Sequence, residues 1–244
     1  MSSNSKIRLY VEDELKEGIP LVLNEMQSHY LCNVMRLKSG SKISCFNEKC
    51  GEFSAIIGTI HKKQTSINLN AKIREAVKSP DVWLVFSPLK KDCMDFLVEK
   101  SVELGVSVLQ PVITQYGITD KLRQDRIQTQ MREAAEQCER LDTPVLRPVA
   151  KIEELLKQWD TSRRIFFFDE RGKGRTCADA FSDKSASKTA LLIGPEGGFS
   201  DSEAEMLYNL PFVTAVSLGP RILRAETAAT AALSVWQALS GDWK

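Results

Sequence analysis

The chain has little histidine, no Cys-x-x-Cys pair and almost no net charge. His29 and His61 are its only histidines, and none of Cys32, Cys45, Cys50, Cys93, Cys138 and Cys177 forms a Cys-x-x-Cys pair. Structural zinc sites are built on such spacings, so no metal is expected and the cysteines read as reduced thiols. Lys+Arg 33 against Asp+Glu 32 leaves a formal charge of +1. That argues against a protein held on nucleic acid by net charge alone, while a local basic face remains compatible with RNA. No uninterrupted apolar run approaches the roughly 20 residues that cross a bilayer. The stretch Met1 to Lys6 lacks the apolar core of a secretory signal. A cytoplasmic protein with no membrane segment is the expectation.

What is present divides into two textures. At 43% hydrophobic residues, 244 residues can furnish proper cores. Lys6 to Tyr10, Lys42 to Phe46, Phe53 to Ile60 and Ser66 to Ile73 read as short strands, with Asn47, Gly51 and Lys62-Lys63-Gln64 at turns. His29 to Leu37 reads as a helix, and short strands with one helix predict a compact β-barrel. Ala76 to Pro80 reads as a linker, since proline disfavours continued regular structure. Beyond it, apolar strands at Val82 to Phe86, Val108 to Ile113, Ile165 to Phe168, Ala190 to Ile193 and Val213 to Leu218 alternate with helices. The helices are Cys93 to Leu104, Gln124 to Arg140, Ile152 to Trp159, Asp201 to Asn209 and Ala225 to Leu239. This rhythm predicts a mostly parallel sheet covered on both faces, with ligands at the strand carboxyl ends.

Two glycine turns stand out. Leu191-Leu192-Ile193-Gly194-Pro195-Glu196-Gly197-Gly198-Phe199-Ser200 and Leu218-Gly219-Pro220-Arg221-Ile222-Leu223-Arg224-Ala225-Glu226 each carry an apolar strand into glycine and then into a helix. Glycine at a strand's carboxyl end lets backbone N–H groups approach a ligand. Two such loops in succession suggest one composite pocket with Arg221, Arg224 and Glu226 near it. The first loop lacks the Gly-Lys-Ser/Thr ending of a P-loop and the spacing of a dinucleotide fingerprint, which disfavours an NTPase. Ser200 followed by Glu203 has the spacing of a capping box opening a helix.

These two motifs resemble those of the bacterial 16S ribosomal RNA (uridine-N3) methyltransferases, a family in the knotted SPOUT class. The resemblance extends to Glu99-Lys100-Ser101-Val102-Glu103-Leu104-Gly105-Val106, Glu136-Gln137-Cys138-Glu139-Arg140, Ile7-Arg8-Leu9-Tyr10 and the stretch His29 to Gly40. It implies a PUA-like β-barrel at residues 1–74 that binds RNA, followed by an α/β methyltransferase domain with a trefoil knot at 75–244. It further implies S-adenosylmethionine as methyl donor, a homodimer and 16S rRNA within the small subunit as substrate. A SPOUT enzyme acting on ribose 2'-O or another base is one alternative; a non-catalytic RNA-binding ribosome-assembly factor is another. The chain departs from the family at Asn33, at Asn47-Glu48, where an aspartate-glycine turn is usual, and at Glu139, where glycine is usual.

The resemblance also assigns residues. Gly194 and Gly198, with Ile193, would bind the donor; Leu218, Ile222 and Leu223 would give its adenine an apolar slot; and Asp169-Glu170, with Phe168 at the end of the preceding strand, would supply a third wall. Uridine N3 is a poor nucleophile until its proton leaves, so transfer requires a base or groups that stabilise the developing anion. Arg224 is the candidate for that role, or else an ion-pair partner of Glu226 or Glu196. Glu196 either accepts a proton or orders its loop. Arg8, Arg36 and Lys38 are candidate RNA contacts within a basic face that also holds Lys42, Lys62 and Lys63. Arg140 either reaches the target nucleotide or caps the end of its helix.

Overall fold

The computed structural model describes residues 7–61, 64–118, 122–182 and 188–243. Lys6, Lys62 and Lys63 lie outside the described residues. The chain forms two compact units, one of residues 1–78 with 132–143 and the other of 79–131 with 144–244.

The first unit contains β1 (Arg8–Tyr10), β2 (Pro20–Val22), α1 (Glu25–His29), a π-helical turn (Tyr30–Val34), β3 (Lys42–Asn47), β4 (Gly51–His61) and β5 (Gln64–Arg74). The strands form one sheet in the order β1-β3-β4-β5-β2. β1 runs parallel to β3 and the other neighbours are antiparallel. In β5, buried Thr65, Ile67 and Leu69 alternate with residues that are not buried. That is the period of a strand with one face on a core, here shared with Leu9, Leu31, Ile43 and Ile57. The short strand β2 escaped the sequence reading because proline opens it; a proline is tolerated there because β2 pairs only with β5, at the sheet edge.

The helix expected over His29 to Leu37 begins earlier and changes character. Asn24 and Gln27 close a capping box, each side chain bonding the other's backbone, which starts α1 at Glu25. From Tyr30 the winding loosens, and the Met35 N–H donates to the Tyr30 carbonyl at 2.9 Å. Arg36 then takes φ 54, a left-handed conformation that stops the helix short of Leu37.

The second unit follows the strand–helix rhythm. It contains β6 (Val82–Phe86), α2 (Lys91–Glu103), β7 (Val108–Ile113), α3 (Gln124–Gln137, whose end belongs to the first unit), β8 (Val145–Leu146), β9 (Ala150–Lys151) and α4 (Ile152–Lys157). Then come β10 (Arg163–Phe168), β11 (Arg175–Thr176), α5 (Cys177–Ser182), β12 (Lys188–Ile193), α6 (Asp201–Tyr208), β13 (Val213–Ser217) and α7 (Ala225–Leu239). The sheet order is β11-β13-β10-β12-β6-β7-β8, with β9 also on β7. All these pairings are parallel.

Both faces of this sheet are covered. Leu191 and Leu192 point to opposite faces, yet both are buried. Phe166 packs edge-on against Phe181 of α5, while its neighbour Phe167 meets Phe199 and Tyr208 on the other side. Each fully buried Leu or Phe contributes about 1.5–3 kcal/mol, so the central strands anchor everything that emerges from their ends.

Candidate active site

Three adjacent parallel strands end level with one another. Phe168 at the end of β10 is in register with Ile193 of β12 on one side and Val216 of β13 on the other. The loops that follow therefore leave the sheet at one height and enclose a common cavity of about 250 Å³. Its wall includes Phe168 and Glu170 after β10, Ile193, Gly194, Glu196 and Gly198 after β12, and Leu218, Ile222, Leu223 and Arg224 after β13. All ten residues assigned from sequence to the donor site and the chemistry lie on that one wall.

The walls differ in kind. Asp169 is buried and structural: its carboxylate accepts hydrogen bonds from the Tyr208 hydroxyl and from the Arg171 N–H at 3.3 Å. Arg171 in turn donates to the Phe199 carbonyl at 2.6 Å, tying the first loop to the second. Glu170 and Glu196 stay exposed. Ile222 is 85% exposed, an apolar side chain standing open beside the cavity. Apolar slot, acidic groups and close backbone together suit a nucleoside carrying positive charge.

The glycines have two separate reasons. Gly198 has φ 71, and a Cβ there would stand 2.2 Å from Glu170 Oε1. Gly194 was expected to leave room for a ligand, but a Cβ there would instead meet the Phe199 ring at 2.6 Å. Phe199 is buried against Phe167, with ring centroids 5.0 Å apart, so Gly194 makes space for core packing. The capping box at Ser200 closes as its spacing predicts: Ser200 Oγ accepts from the Glu203 N–H at 3.2 Å and Glu203 accepts from the Ser200 N–H at 2.9 Å.

Arg224 is the N-cap residue of α7, with no side-chain cap bond. Among the described residues it forms no ion pair with Glu196 or Glu226, so of the two roles considered for it the cross-loop bridge is not made. Its guanidinium stays exposed beside the cavity. Glu226, one residue into the helix, was read from sequence only as a bridge partner. It lies beside Cys93 near the start of α2; burial first, then this carboxylate, raises the Cys93 thiol above its usual range.

In the first unit the candidate RNA contacts separate. Arg36 and Lys38 are exposed. Arg8 is only 8% exposed and its guanidinium is fully occupied. Nε donates to Glu52 at 2.9 Å, Nη1 to the Ala135 and Glu136 carbonyls at 2.9 and 3.1 Å, and Nη2 to the Arg140 carbonyl at 3.1 Å. The same group stacks 4.0 Å above Phe46. With its donors spent inside the protein, Arg8 is a latch rather than an exposed phosphate ligand. Arg140 pairs through Nε with Asp142 at 2.9 Å. The capping of α3 considered for Arg140 falls to Arg8, because Arg8 holds the last helical carbonyls. The helix ends at Gln137, and Glu139 takes φ 62, the left-handed position that favours glycine.

A second cavity, of about 340 Å³, opens at the opposite ends of the strands around Trp83, Arg147, Trp159 and Arg163. Arg163 is already held by both Asp81 oxygens at 2.8 Å and lies 4.2 Å over Trp83. Greater volume does not make it the chemical site: its buried arginine is satisfied. Among the described residues no group of three or more His, Cys, Asp or Glu could hold a metal. No described helix is long and apolar enough to cross a membrane.

Comparison with known proteins agrees with the cavity. Residues 77–237 match the family described as RNA methyltransferase domain, and residues 23–69 match the RNA methyltransferase PUA domain. The ribosomal RNA small subunit methyltransferase E of Rickettsia conorii is 29% identical over 228 residues, covering 93% of each chain. Its namesake from Bacillus subtilis is 27% identical over 242 residues, covering 93% of this chain and 94% of that one. Among solved structures, a putative methyltransferase of Legionella pneumophila with bound S-adenosylmethionine superposes with a TM-score of 0.88 at 31% identity, covering 97% of this chain and 98% of that one. The ribosomal RNA small subunit methyltransferase E of Neisseria gonorrhoeae, bound to S-adenosylmethionine, gives 0.87 at 28% identity, covering 98% and 99%. Level strand ends and a glycine-walled cavity thus lie within residues 77–237, and the chain belongs to the RNA methyltransferase family.

Proposed function

We propose that this protein transfers the methyl group of S-adenosylmethionine to N3 of a uridine in 16S rRNA of the small ribosomal subunit. The observation that carries the reading is the convergence of three level loops, bearing every residue assigned to donor binding, on one cavity. Relatives matched over at least 93% of their length, which are solved with S-adenosylmethionine bound or bear the small-subunit rRNA methyltransferase name, support it.

When bound, the donor supplies an electrophilic methyl group on a cationic sulfonium. Leu218, Ile222 and Leu223 would hold the adenine, the backbone from Ile193 to Gly198 would close on the ligand, and Glu170 and Glu196 would favour its positive charge. Arg224, free of an internal ion pair, would stabilise negative charge developing on the uracil ring. Alignment of N3 with the methyl group supplies a large share of the acceleration. The reading includes a trefoil knot in the methyltransferase domain, a domain boundary at residues 74/75, a homodimer and a cytoplasmic location. Arg36 and Lys38 would contact RNA phosphates.

The test is incubation of the protein with small subunits or 16S rRNA and labelled donor, followed by digestion to nucleosides. N3-methyluridine is the expected product. A 2'-O-methylated nucleoside or another methylated base would reassign the reaction, and absence of both transfer and donor binding would favour an assembly factor.

A further inference from the structure

The loop after β10 is a tight turn: the Gly172 N–H donates to the Asp169 carbonyl at 3.3 Å, and Gly172 takes φ 68. Asp169 reinforces it, since one carboxylate oxygen accepts the Arg171 N–H and the other the Tyr208 hydroxyl of α6. Both central residues of this turn reach the glycine loop. Glu170 lies against Gly198, and Arg171 Nη2 donates to the Phe199 carbonyl at 2.6 Å. Phe199 is buried, and its carbonyl has no other donor among the described residues. The remaining charge contacts of Arg171 are long: Nε is 4.0 Å from Asp169, and Nη2 is 3.4 Å from Asp201, which is fully exposed. Exposed pairs of that kind add little, so the carbonyl is the contact that matters.

We propose that Arg171 is a positioning residue for the methyl donor: its bond to the Phe199 carbonyl holds the glycine loop at the spacing from Glu170 that S-adenosylmethionine requires. This rests on the cavity being the donor site. Arg171 is not part of the cavity wall and acts through residues that are, Glu170 beside it and Gly198 beside Phe199. The glycine loop is otherwise fixed at its two ends. Ile193 is in register with Phe168 and Phe86, and the Ser200 capping box starts α6. Between them the Gly198 N–H bonds the Pro195 carbonyl at 3.0 Å, and Gly194, Gly197 and Gly198 have no side chains to anchor the backbone. Packing against Phe167 settles the Phe199 ring but leaves the rotation of its peptide to Arg171. Without that bond the wall relaxes, and ordering it again weakens donor binding. Arg224 stands on the other loop, so the chemical step is not the part that suffers.

The experiment compares wild type with Arg171→Met, which keeps the apolar stem and loses every donor, and Arg171→Lys, which keeps a single ammonium on a shorter reach. Calorimetry with S-adenosylmethionine should show about tenfold weaker binding by Arg171→Met, the size expected when a charged hydrogen-bond donor is lost, and about threefold weaker binding by Arg171→Lys. At saturating RNA the KM for the donor should rise by a similar factor, while kcat and the KM for RNA change by less than about twofold. In the donor-free protein, amide exchange across residues 194–199 should quicken in Arg171→Met while the amides of β10 and β12 keep their protection. Wild-type donor affinity in Arg171→Met, or a loss confined to kcat, overturns the assignment. Faster exchange spread evenly over the domain also overturns it, since Arg171 would then support the fold and not the loop. Should Arg171→Met fail to fold, Arg171→Lys carries the test, and wild-type donor affinity there overturns the assignment. A wild-type protein that binds no S-adenosylmethionine overturns the donor site and the role of Arg171 together.

Discussion

Gly198 and Glu170 are so close that a Cβ on the glycine would stand 2.2 Å from the carboxylate oxygen. Both line the cavity, and Gly198 also holds φ 71. Gly198→Val should therefore displace Glu170 and strain the loop, weakening S-adenosylmethionine binding at least tenfold by calorimetry, while the left-handed strain costs about 1–2 kcal/mol of stability. Gly194→Ala acts elsewhere. It presses on buried Phe199 and should cost about 1–3 kcal/mol in denaturant unfolding, part of which Phe199→Leu restores in a double-mutant cycle. Additive single effects would show that the ring is not what Gly194 accommodates.

Arg8 should behave as a structural residue. Its side chain and that of Glu52 are 7% and 4% exposed, and Glu52 also accepts from Ser44 at 2.7 Å and Arg74 at 3.2 Å. Arg8→Ala leaves a buried carboxylate short of its main partner and should destabilise by about 3–5 kcal/mol. Arg8→Lys should recover little, because a single ammonium cannot span Glu52 and three carbonyls. Urea unfolding of the two variants checks this; a loss below about 1 kcal/mol for Arg8→Ala would contradict the latch.

Arg36 is the contrasting case, exposed and held at φ 54. Arg36→Ala should weaken RNA binding and reduce the slope of log affinity against log salt by about 1, as for one lost phosphate contact. Donor affinity should not change. An unaltered slope would move the RNA path away from this turn.

Glu136 makes stability depend on pH. Burial, reinforced by the charge of Glu133 and opposed by the Tyr10 N–H and Arg8, pushes its carboxyl from 4.5 to about 7. The folded chain thus holds this proton more tightly than the unfolded chain. The contribution is fully present below the unfolded value and is lost as pH rises towards about 7. Glu136→Gln keeps an acceptor for the Tyr10 N–H, which bonds Glu136 Oε1 at 2.9 Å in the wild type. The variant should gain thermal stability over wild type at about pH 8 and not at about pH 5. Parallel melting curves at both pH values would contradict it.

Much of this was legible because strands and glycine turns are local. The apolar runs at Val82–Phe86 and Val108–Ile113 match their strands at both ends, and Ala225–Leu239 matches its helix. The cavity was legible because its wall follows directly from strand ends. Roles set by distant partners were hidden. Arg8 looks like any basic residue until the carbonyls of residues 135, 136 and 140 come round to it. Gly194 gives no sign in sequence that Phe199, five residues on, folds back against it. Glu226 is one acid among 32 until the fold sets it beside Cys93 with one oxygen buried and unpartnered.

The Arg8 latch bears on the order in which the chain assembles. Its guanidinium reaches across 127 residues to Ala135, and the compact unit it stabilises is completed only by residues 132–143. Contacts so far apart in sequence form late, because a long loop must close before they reward it. While the chain grows on a ribosome, the amino-terminal sheet must wait for more than half of the protein to be made before Glu52 and Arg8 find their final surroundings. A fragment cut after the fifth strand would carry that unfinished end permanently.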